Sequence, residues 1–166
     1  MASIAEEAHL PALDDQRRGE VGRELQATLL ELIDLSLIGK QLHWNIFGRP
    51  FKPLHEHLDE LVHSWRELSD TVAERAVALG VAPDGQAGAV SQDSEISAVE
   101  PRALDTDTAL RDLVERLADV AERCRMRMDR LGEIDLASQD VVIEVVRELE
   151  KQLWMLRASL PGGGSR

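Results

Sequence analysis

Hydrophobic positions recur with a helical period over four long segments of the chain. These segments predict helices over residues 16–45, 53–79, 106–131 and 139–160. The second segment is the most regular, with an apolar stripe formed by Leu54, Leu58, Leu61, Trp65, Leu68, Val72 and Leu79. Gly80 predicts the end of this helix, and Ser138 predicts the N-cap of the last one. The first segment is apolar on nearly every side, so we expect that helix to be packed on two faces.

A Gly-, Pro- and Ser-rich stretch, residues 81–105, joins the second helix to the third. A connection of this length crosses the bundle, and we expect one short helix in it, around 93–99. Two hairpins joined by a long crossover form the ferritin-like arrangement, so the sequence predicts an all-α, ferritin-like four-helix bundle. We place this bundle at residues 15–160, between a flexible tail at 1–14 and a flexible end at 161–166.

Composition narrows the function classes. The formal net charge of −12 repels phosphate over most of the surface and argues against a nucleic-acid-binding protein.

The first residues lack a basic segment followed by an apolar core, and no run approaches membrane-spanning length, so we expect a cytoplasmic protein. Cys124 is the one cysteine, which excludes an intrachain disulfide; we expect it to act as a small buried hydrophobe.

A di-iron site inside one bundle is not supported by the sequence. Ferritin-like bundles hold two metals with a Glu from each of two helices and a Glu-x-x-His from each of the other two. Within the predicted bundle, residues 15–160, this chain contains a single such motif, Glu60 to His63. Half of the signature cannot build that site.

A more complete set of metal-ligating residue types lies on the second helix. At about 100° per residue, His55, Asp59, Asp70 and Glu74 share one stripe, almost opposite the apolar stripe. The stripe is either the solvated face of an amphipathic helix or a surface that a second protein chain covers.

Two observations favour the covered surface. Val62, Ala73 and Val77 lie on or beside the polar stripe. Asp59 and Asp70 are eleven residues apart, about 16 Å along a helix, which is too far to share one ion. If the four ligands cooperate, the first two of one chain must meet the last two of a second, antiparallel chain. A twofold axis through this helix would create two such sites at once.

The residues in and around this stripe resemble the Dps family, the dodecameric miniferritins also called DNA-binding proteins from starved cells. The resemblance spans roughly residues 20–158 and rests on His43-Trp44, Gly48, Phe51, Leu54-His55, Asp59, Asp70, Ala73-Glu74-Arg75 and Leu153-Trp154. It implies a ferroxidase centre at a twofold interface. There, one subunit contributes His43, His55 and Asp59, its partner contributes Asp70 and Glu74, and the site binds one or two Fe(II).

The resemblance also implies the reaction. Hydrogen peroxide is preferred to dioxygen, takes two electrons from two Fe(II), and so avoids hydroxyl radical. The Fe(III) product is stored in a hollow dodecamer, which protects DNA from oxidative damage. Imidazole and carboxylate ligands suit zinc as well as iron, so we expect zinc to compete.

The three tryptophans are expected to have different roles. Trp44, beside His43, either supplies an electron when one iron is bound or is a packed core indole. Trp65 and Trp154 are expected in the core. Among the other histidines, His63 falls near the ligand stripe and is either an accessory metal group or a surface residue. His57 and His9 are given no role.

A hollow shell needs a route for cations, and the resemblance implies threefold pores lined by acids at the start of the last helix. Asp140 lies at a matching distance before Trp154, whereas Glu133 and Asp135 belong to a segment that is shifted against the family pattern. Acidic lining would attract Fe(II). Asp140 also fits a simpler role as a helper of the helix N-cap.

Family members that bind DNA tightly carry Lys/Arg-rich tails, and neither tail here is rich in these residues. We therefore expect weak or no direct DNA binding, and association with the nucleoid only if DNA is bound. Two alternatives to the ferroxidase stay open. A DNA-compacting shell with little ferroxidase role predicts a basic tail, and a metal-free structural helical bundle predicts a small oligomer without metal affinity.

Overall fold

The computed structural model describes residues 13–161, most of which lie in five helices. The elements follow the order α1 (Asp15–Asn45), β1 (Ile46–Phe47), α2 (Phe51–Ala78), α3 (Ala87–Asp93), β2 (Leu104–Asp105), α4 (Thr106–Gly132) and α5 (Leu136–Ser159). The pairs α1–α2 and α4–α5 pack as two hairpins, with α3 in the crossover between them. The predicted four-helix bundle is confirmed. Most of the tail and end predicted to be flexible lies outside the described residues.

Local chemistry explains the helix ends. The Asp14 carboxylate accepts a hydrogen bond from the Arg17 N–H and caps α1, and the Asp105 carboxylate accepts one from Thr108 N–H and caps α4. At the end of α2, Gly80 adopts φ +77°, and the N–H of Val81 donates to the carbonyl of Ala76. A left-handed residue in this position favours glycine, so the predicted end of the second helix is confirmed.

Two boundary predictions are wrong. The short crossover helix occupies Ala87–Asp93 and not 93–99. Its end is set by Ser94, whose hydroxyl donates to the Asp34 carboxylate on α1 at 2.5 Å and accepts from the Ile96 N–H. Such local side-chain bonds compete with helix continuation. The N-cap of α5 is Asp135 and not Ser138, because the Asp135 carboxylate accepts from both the backbone N–H and the hydroxyl of Ser138.

The core is one cluster of Leu, Val and Ile side chains from all four long helices, with Trp65 fully buried in it. Trp154 was expected there, but 64% of its surface is exposed. The reason lies in the α5 period: its buried positions include Val145, Leu149, Gln152 and Leu156, and Trp154 faces away from that stripe. Leu30 of α1 is buried as well, so α1 is packed on two faces as predicted.

A buried ion group links the two hairpins. The Glu31 side chain on α1 is 1% exposed, and its two oxygens accept hydrogen bonds from Arg123 and Arg127 of α4. Cys124 is buried beside them, and burial raises the pKa of its thiol to about 11. This buried group of three charges was not predicted, because hydrophobic periodicity gives no signal for compensated charges.

Two short strands that the sequence did not indicate close one end of the bundle. Ile46 and Phe47 of β1 pair in parallel with Leu104 and Asp105 of β2. They tie the α1–α2 corner to the start of α4. Within residues 13–161, no helix has both the length and the apolar composition that crossing a membrane requires.

Candidate metal centre

Two histidines meet where α1 ends and α2 begins. His43 lies in the last turn of α1 and His55 in the second turn of α2, and their rings stack with centroids 3.6 Å apart. Each ring bonds to the backbone of the other helix. His43 Nδ1 lies 3.0 Å from the His55 carbonyl oxygen, and His55 Nδ1 lies 3.1 Å from the His43 carbonyl oxygen. These reciprocal bonds hold the two helices at a short, fixed spacing.

The reciprocal bonds also decide which ring nitrogens can bind a metal. A carbonyl oxygen can only accept, so Nδ1 of both His43 and His55 must carry a proton. The lone pair of each neutral ring is then on Nε2. Metal-ligating histidines are typically oriented in this way, by a bond from the other ring N–H to a carbonyl or carboxylate.

Asp59 joins the two histidines from the next turn of α2. Its Oδ1 lies 3.4 Å from His43 Nδ1 and 2.6 Å from Lys40 Nζ. The hydrogen bond from Lys40 is the largest of the effects that hold the pKa of the Asp59 carboxyl below its usual range. The carboxylate is therefore ionised at neutral pH, as a metal ligand must be, and its side chain is half-exposed.

Aromatic side chains surround this group. Phe51 stacks on His55 with ring centroids 4.9 Å apart, and Lys40 Nζ lies 6.0 Å above the ring of Trp44. Trp44 is 69% exposed, which excludes a packed core position within the chain, and Phe47 and Phe51 are also exposed. Three exposed aromatic residues at one corner form a surface suited to contact with a partner.

The other two predicted ligands lie elsewhere on the same helix. Asp70 and Glu74 are both exposed, and because α2 is unbroken from Phe51 to Ala78, Asp70 is about 16 Å along the axis from Asp59. Within residues 13–161, no three His, Cys, Asp or Glu side chains converge as a metal site. Asp70 and Glu74 therefore cannot join His43, His55 and Asp59 within one chain.

The remaining predicted residues occupy varied positions. Val62 is buried under α1 and so does not belong to the outward surface, whereas Val77 is exposed and Ala73 half-buried. His63 is exposed and pairs with Glu67 at 3.2 Å, and Glu60 is also on the surface. The Glu-x-x-His motif from Glu60 to His63 therefore points away from the interior of the bundle.

The acids near the start of α5 do not form one group. Asp135 pairs with Arg75 of α2 at 2.6 Å. Although burial opposes it, the bonds from Ser138 and Arg75 keep the pKa of Asp135 below its usual range. Glu133 and Asp140 are exposed, and Asp140 lines a groove of about 700 Å³ between α2 and α5. Because Asp135 caps α5, Asp140 lies beyond the first turn and its alternative role at the N-cap is wrong.

Sequence reasoning missed Lys40 at this site. Its signal was present, since Lys40 precedes His43 by three residues and so lies on a neighbouring face of α1. Its partner, however, is 19 residues away on another helix. Only the packing of the two helices brings the ammonium to Asp59.

Comparisons with known proteins agree with this architecture. The family model described as Ferritin-like domain matches residues 23–161. The DNA protection during starvation protein of Mycolicibacterium smegmatis is 36% identical over 159 residues, which cover 95% of this chain and 86% of that protein. The protein of the same name from Agrobacterium fabrum is 36% identical over 135 residues, covering 81% of this chain and 83% of that one.

Solved structures give the same result. The tetragonal form of Mycobacterium smegmatis Dps superposes with a TM-score of 0.89 at 35% identity, covering 94% of this chain and 96% of that chain. DpsA14 from Streptomyces coelicolor superposes with a TM-score of 0.88 at 33% identity, covering 93% of each chain. With its ferritin-like fold and these relatives, the chain belongs to the Dps family of ferritin-like proteins.

Proposed function

We propose that this protein is a ferroxidase and iron-storage miniferritin. It oxidises Fe(II), preferably with hydrogen peroxide, at sites shared by two subunits, and stores Fe(III) inside a hollow dodecamer. Each site takes His43, His55 and Asp59 from one subunit and Asp70 and Glu74 from its partner. The observation that supports this most is the reciprocal Nδ1–carbonyl pairing, which leaves Nε2 of each histidine as the ring nitrogen that can bind a metal. The ionised carboxylate of Asp59 lies beside His43.

The distribution of exposed residues supports a site completed by a second subunit. Asp59 and Asp70 are three helical turns apart and share one face of α2, and Val77 lies two turns beyond Asp70 on that face. Together with exposed Leu37 and Trp44 on α1, this face is partly apolar. An antiparallel copy related by a twofold axis would cover the apolar residues and bring Asp70 and Glu74 to the histidine pair.

The donor set fits Fe(II) as substrate. Imidazole and carboxylate ligands bind Fe(II), Zn(II) and Mn(II), and zinc is therefore proposed as a competitor. Hydrogen peroxide accepts two electrons, one from each of two Fe(II), and is reduced to water without releasing hydroxyl radical. Trp44, exposed beside His43, is the proposed donor of the second electron when a site holds one iron.

Protection of DNA follows from this chemistry without a DNA-binding surface. The relatives are named for DNA protection. The net charge of −12 disfavours contact with phosphate, and we propose that removal of Fe(II) and peroxide protects DNA, with direct binding weak or absent.

Asp140 and Glu133 are proposed to line the route by which Fe(II) enters. Asp135, neutralised by Arg75, is a weaker candidate for that role. We propose a cytoplasmic location.

The first test is anaerobic loading with Fe(II) followed by stoichiometric peroxide, with Fe(III) absorbance recorded over time. Wild-type protein should oxidise Fe(II) far faster than buffer does, in a particle near about 220 kDa if twelve chains of 18.4 kDa assemble. His43→Ala and Asp70→Ala should each assemble and lose the fast phase. If oxidation is no faster than in buffer, the protein is a shell without a ferroxidase site. If the particle is a small oligomer, the protein is a structural helical bundle.

Mixing the two variants tests whether sites are shared. When His43→Ala and Asp70→Ala chains are refolded together, half of the twofold pairs are mixed, and each mixed pair contains one intact site of its two. Roughly one quarter of the wild-type activity should return. A site built within one chain would stay inactive in every mixture. A plasmid shifted in a gel at moderate salt without divalent cations would instead favour the DNA-compacting shell.

A further inference from the structure

Gly39 lies in the last third of α1, one turn before His43, where α1 packs directly against α2. A Cβ at this position would lie 2.7 Å from Val62 Cγ2 and 2.8 Å from Trp65 Cζ3, both on α2. Glycine is the least favourable residue after proline in a helix interior. Its presence here is explained by contact with α2, which leaves no space for a side chain.

The opposing surface cannot move aside. Trp65 is fully buried, and its Nε1 donates to Gln152 Oε1 at 2.8 Å. Gln152 in turn donates from Nε2 to Ser64 Oγ at 3.0 Å and to Glu148 Oε1 at 3.1 Å. The indole is thus fixed by a polar network that reaches α5. Val62 beside it is also buried.

The same helix spacing determines the histidine pair. His43 follows Gly39 by four residues and lies on the same face of α1, while His55 precedes Val62 by seven residues on the same face of α2. An alanine would need roughly 0.7 Å more room to reach an ordinary carbon–carbon separation from Trp65. The Nδ1–carbonyl distances are already 3.0 and 3.1 Å. A hydrogen bond lengthened by that amount is lost.

We propose that Gly39 is a positioning residue for the metal centre. By letting α1 rest directly on Trp65 and Val62, it sets the helix spacing at which His43 and His55 exchange their hydrogen bonds and turn Nε2 toward the metal. This inference rests on the proposed function for its metal-binding consequence. Its structural consequence is independent of that function.

The test compares Gly39→Ala with Gly22→Ala in the assembled protein. Gly22 is also a buried glycine of α1, and its added Cβ would lie 2.9 Å from a methyl group of Val81, but it is about 25 Å from Gly39 along the helix. Zn(II) binding is measured by calorimetry, and crystal structures are determined without metal. Thermal unfolding shows whether the two substitutions perturb the fold equally.

Gly39→Ala should raise the Kd for Zn(II) roughly tenfold or more, as disruption of groups that orient ligands usually does. The metal-free structure should show at least one Nδ1–carbonyl distance beyond about 3.5 Å. Gly22→Ala should leave the Kd for Zn(II) and the Nδ1–carbonyl distances unchanged. If Gly39→Ala fails to assemble, Gly39→Ala with Val62→Ala, which removes the nearest overlapping methyl group, is measured in the same way.

Unchanged histidine distances in Gly39→Ala overturn the proposal, as does a Zn(II) affinity equal to that of the wild type. A loss of affinity that Gly22→Ala shares also overturns it, because the effect would then be general destabilisation. Wild-type protein that binds neither Zn(II) nor Fe(II) would refute the proposed function. The distances in the metal-free crystals would still decide whether Gly39 sets the spacing.

Discussion

The Lys40 ammonium lies 2.6 Å from Asp59 Oδ1, on the carboxylate that stands beside the two stacked histidines. The contact joins α1 to α2 and keeps the pKa of Asp59 below its usual range. It also places a positive charge where a cation would bind. In the proposed site, Lys40 would compete with a metal ion for Asp59 while keeping the carboxylate ionised.

Substitution of Lys40 should strengthen metal binding. In Lys40→Met the carboxylate loses its competing cation, and the Kd for Fe(II) under anaerobic conditions should fall roughly twofold to fivefold, the scale of an exposed ion pair. Lys52→Met is the control, since Lys52 pairs with Glu56 on the surface of α2. Equal or weaker binding in Lys40→Met would show that the ammonium orients Asp59 and does not compete with the metal.

Loss of the Glu31 charge should destabilise the bundle strongly. Glu31→Gln leaves two guanidinium groups unpaired between the hairpins, and we expect the free energy of unfolding to fall by about 3–5 kcal/mol. Glu24→Gln removes a comparable pair with Arg130 nearer the surface and should cost about 1 kcal/mol or less. Urea denaturation measures both. Similar losses in the two variants would mean that burial does not distinguish the pairs.

The ion pair between Arg75 and Asp135 should weaken in acid. The pKa of Asp135 is lower in the folded protein than its ordinary value of 3.8, so its contribution to stability is complete above that pH. The contribution is lost as pH falls through the lowered pKa. Asp135→Ala should lose about 2 kcal/mol at pH 7, and the gap to wild type should narrow below about pH 4. A gap that stays constant from pH 7 to pH 3 would exclude the ionised carboxylate as its cause.

Cys124 should be unreactive in the native protein. Burial raises the pKa of its thiol to about 11, so at pH 8 the thiolate is scarce as well as inaccessible. A chromogenic disulfide reagent should label one thiol per chain only after denaturation. Ala137→Cys, at an exposed position of α5, serves as the positive control. Fast labelling of native wild type would show that α1 and α4 separate readily.

The sequence predicted the helices well because hydrophobic period and capping are local signals. The four long helices deviate from the predicted bounds by three residues or fewer at each end. Prediction from the sequence failed where two nearby residues could both serve as the N-cap of a helix. Asp135 and Ser138 are both good N-caps, and the choice depends on Arg75, which arrives from α2. The exposure of Trp154 could have been predicted, since it lies off the apolar stripe of α5.

By itself, the sequence determined the all-α bundle, the crossover, and the stripe carrying His55, Asp59, Asp70 and Glu74, because helical spacing fixes which residues share a face. The separation of Asp59 from Asp70 also followed from the helix rise alone. The tertiary structure decided the contacts between residues distant along the chain: the pairing of His43 with His55, of Lys40 with Asp59, and of Glu31 with its arginines. These contacts depend on the distance between helices. Between α1 and α2, that distance depends on Gly39, where the absence of a side chain lets α1 rest on the Val62 and Trp65 side chains.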